Sequence, residues 1–339
     1  MHMKIGIITS GGDCPGINAT IRGVGKTAIN HYGMEVIGIR GGFHGVLSGD
    51  VVTLDDKALS GILNLGGTIL GTSREKELRR KLKSNEDSMR DKYVRMYTDL
   101  GLDCLVCIGG NGTMKTANVV SEIGLNVVAL PKTIDNDIYG TDLTFGFDTA
   151  VDIATDAIDR LHSTAESHKR VMVIEVMGHD AGWIALHAGM AGGGDVILLP
   201  EFGYNIDKIN THILNRCAAG KHSSIVVVGE GIKTPRGSKA AEYIAQAINI
   251  GTGLETRETI LGYIQRGGNP SAFDRNLGTM LGSFAAELIE KRQFGLMVSY
   301  LYGKTTAVAL SDVSGKLKLI TRDNPLIQCG ERIGVCFGF

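Results

Sequence analysis

Short apolar runs alternate with amphipathic stretches along this chain, and the alternation limits the possible folds more than any other feature. The runs KIGIITS, EVIGIR, CLVCIGG and NVVALPK predict strands, and so do RVMVIEVMG, DVILLPE and SSIVVVGEG. Helices are expected between them, from about Ile17 to His31 and from about Met114 to Glu122. We therefore expect an α/β fold of two lobes, each a mostly parallel sheet sandwiched by helices. The active site is expected in the cleft, and the change of lobe near Gly146.

Glycine is the outlier in composition, with 47 of 339 residues, and it clusters where apolar runs end. Glycine lets the backbone approach a ligand closely, so these strand ends predict tight loops around a charged small molecule. Two of the loops, SGGDCPG from Ser10 and GGNGT from Gly109, stand between a strand and a helix. There the N–H groups of a helix N-terminus can face a phosphate. Each loop is also compatible with a structural turn, in which Asn111 or Thr113 caps a helix.

Charge and cysteine usage narrow the class of protein. The net charge of −1 has no dominant sign, so no nucleic-acid partner is expected. No apolar run approaches the length of a membrane span, and no membrane partner is expected. Six scattered cysteines favour a reducing, cytoplasmic setting, and Cys104 and Cys107 are predicted to be buried strand residues rather than a redox or zinc pair.

The highly charged segment Lys76 to Arg95 predicts a solvated helix and loop.

The segment PKTIDND, Pro131 to Asp137, places two carboxylates at the end of a predicted strand. Phosphoryl transfer needs Mg²⁺ to neutralise phosphate oxygens and a base at the acceptor hydroxyl, and one aspartate can serve each purpose. Lys132 adds a cation beside the transferred group. The alternative is an Asx-turn with acids on the surface.

Four arginines lie in glycine-rich or apolar surroundings: Arg74, Arg170, Arg257 and Arg266. Arginine forks match phosphate oxygens, although each of these residues is also compatible with a surface ion pair. His179 and Glu230 follow predicted strands. Each could bind a sugar hydroxyl or cap a turn.

Five blocks, in this order, resemble the signature segments of the 6-phosphofructokinases: GGDCPGINATIRG, GGNGTMKTA, PKTIDND, VMGHDAGW and LGYIQRGGNPSAFDR. The resemblance extends from Lys4 to about Leu281. It implies a glycolytic kinase that transfers a phosphoryl group from MgATP to the 1-hydroxyl of fructose 6-phosphate. It also implies a nucleotide-binding lobe of residues 1–146 plus about 259–312. A sugar-phosphate and subunit-interface lobe would hold residues 147–258 plus about 313–339.

The resemblance assigns roles to individual residues. Asp135 matches the general base, with Thr133, Lys132 and Arg266 around the transferred group, and Asp137 and Asn111 lie on the Mg²⁺ side. The nucleotide would be bound by Gly12, Arg74, Gly110, Asn111, Gly112 and Thr113. The sugar phosphate would be bound by Thr133, Asp135, Arg170, Met177, Gly178, His179, Glu230, Arg257, Tyr263 and Arg266. Arg170 and Arg257 match arginines that come from a neighbouring subunit, which implies a homotetramer, or a homodimer with shared active sites.

The phosphoryl donor depends on two positions. Lys132 is typical of the pyrophosphate-dependent branch, where it accompanies an Asp at the position of Gly112. Such an Asp would repel the α-phosphate of ATP, whereas Gly112 leaves room for it. The combination resembles ATP-using members of the mixed "group III" subfamily, and we expect ATP. Asn111, His179 and Tyr263 also depart from the common bacterial ATP enzymes, which carry Asp, Arg and His there.

Three alternatives remain open at this point. The first is a pyrophosphate-dependent fructose-6-phosphate 1-phosphotransferase. The second is a lipid or NAD kinase, which shares a GGDGT-like loop but does not account for LGYIQRGG or the MGHD block. The third is a non-catalytic sugar-phosphate sensor, against which the presence of both Asp135 and Asp137 argues.

Overall fold

The computed structural model describes residues 3–235 and 237–339, so Met1, His2 and Arg236 lie outside the described residues. Its strands are β1 (Lys4–Ser10), β2 (Glu35–Ile39), β3 (Val51–Thr53), β4 (Cys104–Gly109), β5 (Val127–Pro131), β6 (Val171–Val176), β7 (Val196–Leu198), β8 (Ser224–Gly229), β9 (Thr256–Ile260), β10 (Leu296–Leu301) and β11 (Lys304–Ala309). Its helices are α1 (Ile17–Tyr32), α2 (Phe43–Ser48), α3 (Lys76–Ser84), α4 (Met89–Asp99), α5 (Asn111–Glu122), α6 (Phe147–His168), α7 (Trp183–Ala191), α8 (Ile206–Ala218), α9 (Ala240–Thr252), α10 (Ala272–Glu290), α11 (Leu310–Val313) and α12 (Pro325–Ile333). The predicted α/β class is confirmed.

Unit 1 comprises the chain up to Thr133, Ile138–Asp148 and Arg266–Leu317. Its sheet has the strand order β11-β10-β5-β4-β1-β2-β3. The five inner strands run parallel, and the edge strands β11 and β3 pair antiparallel. Strands β1, β4 and β5 are almost wholly buried, which is why they read as continuous apolar runs rather than alternating ones.

Unit 2 comprises Ile134–Asp137, Thr149–Gln265 and Lys318–Phe339. Its sheet has the order β7-β8-β6-β9, and all its pairs are parallel. Strands β6 and β8 are fully buried, whereas β9 lies at an edge and is largely exposed. Apolar residues of α8 and α9 pack against this sheet in one hydrophobic cluster.

The two units interleave in the chain, and their limits differ from those of the lobes expected from the sequence. Residues 259–265, expected in the nucleotide lobe, lie in unit 2 because β9 pairs with β6 along Val171–Glu175. Residues 134–137 also lie in unit 2, and residues 313–317 lie in unit 1.

Local structure departs from the sequence expectations in two places. Helix α5 begins at Asn111, three residues before the predicted start, because the glycine turn itself forms the first helical turn. The charged segment from Lys76 forms α3 and α4, and its apolar residues Leu78, Leu82 and Tyr93 are buried in the core of unit 1. It is therefore an amphipathic helix pair rather than a solvated helix and loop.

The cysteine pair behaves as predicted. Cys104 and Cys107 are 0% exposed in β4, and burial raises the pKa of both thiols. Within the described part of the chain, no helix is both long and apolar enough to cross a membrane.

Helices α1 and α10 approach each other so closely that only glycine fits at their contact. A Cβ at Gly282 would lie 2.7 Å from both the carbonyl oxygen of Thr20 and the backbone nitrogen of Val24. A Cβ at Gly23 would lie 2.8 Å from the carbonyl oxygen of Thr279. These neighbours are backbone atoms, so a side-chain rotation cannot relieve the clash.

We predict that Gly282→Ala destabilises the fold by about 1–3 kcal/mol, because the added methyl group must push two helix backbones apart. Urea-induced unfolding measures the loss. The matched control is Gly203→Ala, where an added Cβ has no atom within 4 Å and the backbone needs no positive φ. Equal stability of the two variants would contradict the prediction.

Candidate active site

Three loops of unit 1 start at one edge of its sheet. In the parallel ladders, Ser10 pairs with Gly109, and Gly109 pairs with Pro131. The strands β1, β4 and β5 therefore end side by side. The loops that follow begin with Gly11, Gly110 and Lys132, and the register brings the starts of three sequence motifs together.

Two cations lie against the first loop. The Lys132 ammonium donates to the carbonyl oxygen of Gly12. An added Cβ at Gly12 would lie only 2.1 Å from Nη1 of Arg266, so glycine is needed for the guanidinium to approach. Gly12, Lys132 and Arg266, predicted separately from the sequence, thus form one cationic cluster in unit 1. Nearby, burial raises the pKa of the Cys14 thiol to about 12, so this cysteine is a core residue rather than a nucleophile.

The second loop forms the N-terminus of α5. Gly110 is the extended residue that precedes the helix, and Asn111, Gly112 and Thr113 make its first turn. The N–H groups of a first helical turn have no acceptor within their own helix and carry partial positive charge, which favours anions. A Cβ at Gly112 would have no atom within 4 Å, so this position faces open space.

The loop that carries Arg74 is hydrogen-bonded to the first loop. The N–H of Gly11 donates to the Ser73 carbonyl at 2.9 Å, and the Thr72 hydroxyl donates to the Gly11 carbonyl at 2.5 Å. The exposed side chain of Arg74 therefore stands next to the Gly11–Gly12 turn. All the predicted nucleotide residues thus lie in unit 1, on adjoining loops.

The aspartates of the TIDND segment lie in unit 2, since the chain passes from unit 1 to unit 2 after Thr133. Asp135 and Asp137 are half-buried. Asn136 between them is 2% exposed and has a φ of 51°, in the left-handed region. The segment is therefore a tight turn with a buried centre, and the acids are not on an open surface.

Glu230 binds the backbone of the loop that follows β6. One of its carboxylate oxygens accepts the N–H groups of Gly178 at 3.3 Å and His179 at 2.8 Å. Glu230 lies next to the loop that follows β6 because β6 and β8 are paired neighbours and Val176 stands opposite Gly229. Gly178 and His179 both have positive φ, so the loop turns sharply and leaves the His179 ring exposed.

Gln265 is a site residue that the sequence analysis missed. It is 0% exposed, its Oε1 accepts the N–H of Met177 at 3.2 Å, and its Nε2 donates to the Gly262 carbonyl at 3.1 Å. It fixes the start of the Met177–His179 loop to the turn that carries Tyr263, whose side chain is exposed. The available signal was the amide of Gln265, which stands between the mostly apolar stretch LGYI and Arg266. A buried amide needs hydrogen-bond partners for both its oxygen and its nitrogen.

Arg170 and Arg257 lie at the other end of β6. Both guanidinium groups donate to the same oxygen of Glu255 at 2.7 Å, and the hydrogen bond from Arg170 lowers the pKa of that carboxyl. Arg170 precedes β6 and Met177 follows it, so a strand length of about 20 Å separates them in one chain. The structure does not bring these arginines to the Met177–His179 loop of the same chain.

The carboxylates of the aspartate turn are hard oxygen donors of the kind that Mg²⁺ prefers. Among the described residues, no cluster of three or more His, Cys, Asp or Glu side chains could hold a metal ion by itself. Mg²⁺ commonly uses one or two carboxylates, several waters and substrate phosphates rather than an all-protein cage. Asp137, with Asp135 beside it, supplies hard oxygen ligands of that kind. Asn111 belongs to unit 1 and Asp137 to unit 2.

Known proteins resemble this chain in sequence and in fold. The sequence model of the family described as phosphofructokinase matches residues 4–289. The chain is 62% identical to ATP-dependent 6-phosphofructokinase 3 of Bacteroides thetaiotaomicron, over 99% of this chain and 100% of the relative. It is 43% identical to the pyrophosphate–fructose 6-phosphate 1-phosphotransferase of Streptomyces coelicolor, over 99% of this chain and 100% of that protein. A solved structure of Pichia pastoris phosphofructokinase in the T-state superposes with a TM-score of 0.85 at 32% identity, over 93% of this chain and 35% of that longer chain.

Glu175 is a buried acid beneath the Glu230 loop. It is 9% exposed, and its Oε2 accepts the N–H of Ala241 at 2.8 Å, in the first turn of α9. Burial raises the pKa of its carboxyl, the hydrogen bond from Ala241 offsets part of this effect, and the charge of Glu230 adds to it. The charged form is therefore disfavoured in the folded chain.

We predict that Glu175→Gln flattens the pH dependence of stability, since Gln keeps an acceptor for Ala241. Below the ordinary carboxyl pKa, Glu175 carries its proton in both the folded and the unfolded chain and does not lower the free energy of unfolding. Stability is lost as the pH rises through the raised pKa that this carboxyl has in the folded chain. The variant should gain stability over the parent chain near neutral pH and lose that gain in acid. Thermal unfolding across the pH range measures this, with exposed Glu258→Gln as control. A gain that is the same at every pH would refute the prediction.

Proposed function

The chain belongs to the phosphofructokinase family, and we propose that it phosphorylates fructose 6-phosphate at the 1-hydroxyl with MgATP, giving fructose 1,6-bisphosphate. The observation that carries the proposal is the shared edge of β1, β4 and β5, where Gly12, Lys132 and Arg266 form one cationic cluster beside a helix N-terminus. The name of the relative at 62% identity supports ATP as donor. The proposed setting is glycolysis in the cytoplasm.

The loops of unit 1 bind the nucleotide phosphates. The N–H groups at the start of α5 and the glycine turn at Gly12 receive phosphate oxygens, and Arg74 adds a fork on the neighbouring loop. Lys132 and Arg266 lie where negative charge builds up as the phosphoryl group transfers. Their positions are held by backbone contacts, so little reorganisation is needed during the reaction.

Asp135 acts as the general base. Its carboxylate takes the proton from the sugar 1-hydroxyl as that oxygen attacks the terminal phosphorus of ATP, and ADP leaves with the electron pair of the broken bond. Thr133 lies two residues away, near the transferred group. Asp137, with Asn111, is assigned to the Mg²⁺ side of the site. When bound, the ion neutralises the phosphate oxygens.

The sugar phosphate binds at the carboxyl end of β6 and β8. Met177, Gly178 and His179 form the loop, Glu230 holds its backbone, and Tyr263 lies exposed on the turn anchored by Gln265. The 6-phosphate is bound by Arg170 and Arg257 of a neighbouring subunit. Their distance from Met177 within one chain, about 20 Å, supports this assignment and a homotetramer, or a homodimer with shared sites.

Pyrophosphate is the second candidate donor, and one observation favours it. The Lys132 ammonium, typical of the pyrophosphate branch, contacts the phosphate-binding turn at Gly12, and a relative at 43% identity carries the name of a pyrophosphate enzyme. The open space at Gly112 favours ATP, because that is where an Asp would oppose the α-phosphate.

We predict that Asp135→Asn lowers kcat by about three orders of magnitude or more, since the amide cannot take the hydroxyl proton, and leaves fructose 6-phosphate binding largely intact. A coupled assay gives kcat, and calorimetric titration gives the sugar affinity. The matched control is Asp99→Asn, an exposed acid at the end of α4. An active Asp135→Asn variant would remove the base role, and a parent chain that binds the sugar without turnover would favour the sensor alternative.

We predict that Gly112→Asp lowers kcat/KM for MgATP by about 100-fold or more, by charge repulsion and bulk at the α-phosphate. The fold should tolerate the change because an added Cβ meets no atom within 4 Å. Gly112→Asn adds the same bulk without the charge and should lose less activity. Turnover of the parent chain with pyrophosphate but not with MgATP would overturn the donor assignment.

A further inference from the structure

The direction of the two aspartates depends on one residue in an uncommon conformation. Asn136 stands between Asp135 and Asp137 with a φ of 51° and is 2% exposed. A non-glycine residue in the left-handed region is disfavoured and persists only where its surroundings hold it. The orientation of a base relative to a metal-side carboxylate therefore depends on what holds Asn136.

Lys318 makes two contacts with this turn. Its ammonium donates to Oδ1 of Asn136 at 2.9 Å. Its backbone N–H donates to the carbonyl oxygen of Asp137, also at 2.9 Å. One residue thus holds both the side chain at the centre of the turn and the backbone where the turn ends.

The segment that carries Lys318 is itself anchored at the start of α7. The indole N–H of Trp183 donates to the Lys318 carbonyl at 2.9 Å, and the Lys318 ammonium lies 5.2 Å from the indole ring centre. Two residues further on, the N–H of Ile320 donates to Glu201 at 3.1 Å, and the same Glu201 oxygen accepts the N–H of Gly182 at 2.9 Å. These contacts connect the VMGHDAGW block to the TIDND block within unit 2.

We propose that Lys318 is a positioning residue for phosphoryl transfer, which acts through Asn136 to set the directions of Asp135 and Asp137. It lies beyond residue 289, where the family match ends, and far from either block in sequence. The inference rests on the proposed roles of the two aspartates. A group that orients the base, rather than binding a substrate, should affect kcat more than KM.

The test compares Lys318→Met with Lys316→Met. Methionine removes the ammonium but leaves both backbone hydrogen bonds of residue 318 in place. We expect kcat to fall about 10- to 100-fold, the cost typical of a small misplacement of reacting groups, while both KM values stay within about threefold. Lys318→Arg, which keeps a charged donor, should recover part of the loss. Lys316, whose ammonium lies 5.1 Å over the Tyr139 ring, is the matched control and should retain parental kcat.

A second pair of variants separates positioning from general destabilisation. Asn136→Gly adopts a positive φ without a side-chain partner, so the turn no longer depends on the ammonium of Lys318. Adding Lys318→Met to Asn136→Gly should therefore cost little further kcat, a non-additive result. Additive losses in the double variant, or equal kcat for the Met variants at 318 and 316, would overturn the proposal.

Trp183 gives a readout that does not depend on activity. It is the one tryptophan of the sequence, and the ammonium of Lys318 lies over its ring. Lys318→Met should change its fluorescence emission, whereas Lys316→Met should not; unchanged emission would refute the contact. Changed emission with parental kcat would overturn the positioning role and leave the proposed kinase intact. An inactive parent chain, or an active Asp135→Asn variant, would instead be a failure of the proposed function.

Discussion

Parallel pairing of β1, β4 and β5 is the constraint on which the proposed nucleotide side of the site depends. The three strands are buried on both faces and are mostly apolar, so most polar groups of this region follow where the strands end. The register places these ends side by side, and glycines let cations and helix N–H groups close in on one small volume. The same hydrogen bonds between the strands thus determine both the sheet of unit 1 and the positions of the loops proposed to bind the nucleotide.

Much of the fold could be predicted from the sequence because its signals are local. The strands read as apolar runs, α1 as a periodic stretch and the turns as glycine clusters. Gln265, Glu175 and Lys318 escaped prediction because their roles come from partners 88, 66 and 182 positions away. A polar residue in an apolar stretch signals that a partner exists, but not which one. The same limit explains the unit boundaries, since only strand pairing shows that 259–265 belongs with β6.

The two positions that bear on the donor differ in physical character. Lys132 is 3% exposed and committed to the Gly12 carbonyl, so its charge is part of the built structure of the loop. Gly112 faces open space at the first turn of α5. A change of donor through Gly112 therefore needs no repacking, whereas a change at Lys132 alters the turn proposed to bind phosphate. Specificity can shift at one position while the catalytic framework stays the same.

The shared carboxylate between Arg170 and Arg257 has a consequence for any anion that binds there. Glu255 pairs with both guanidinium groups, so part of their side-chain entropy is already lost before a ligand arrives. The same carboxylate cancels one of the two positive charges, leaving a trio with a net charge of +1. The cluster therefore attracts anions less strongly but selects among them by geometry. A phosphate is favoured by the spacing of the two guanidinium groups, whereas a simple halide gains little from it.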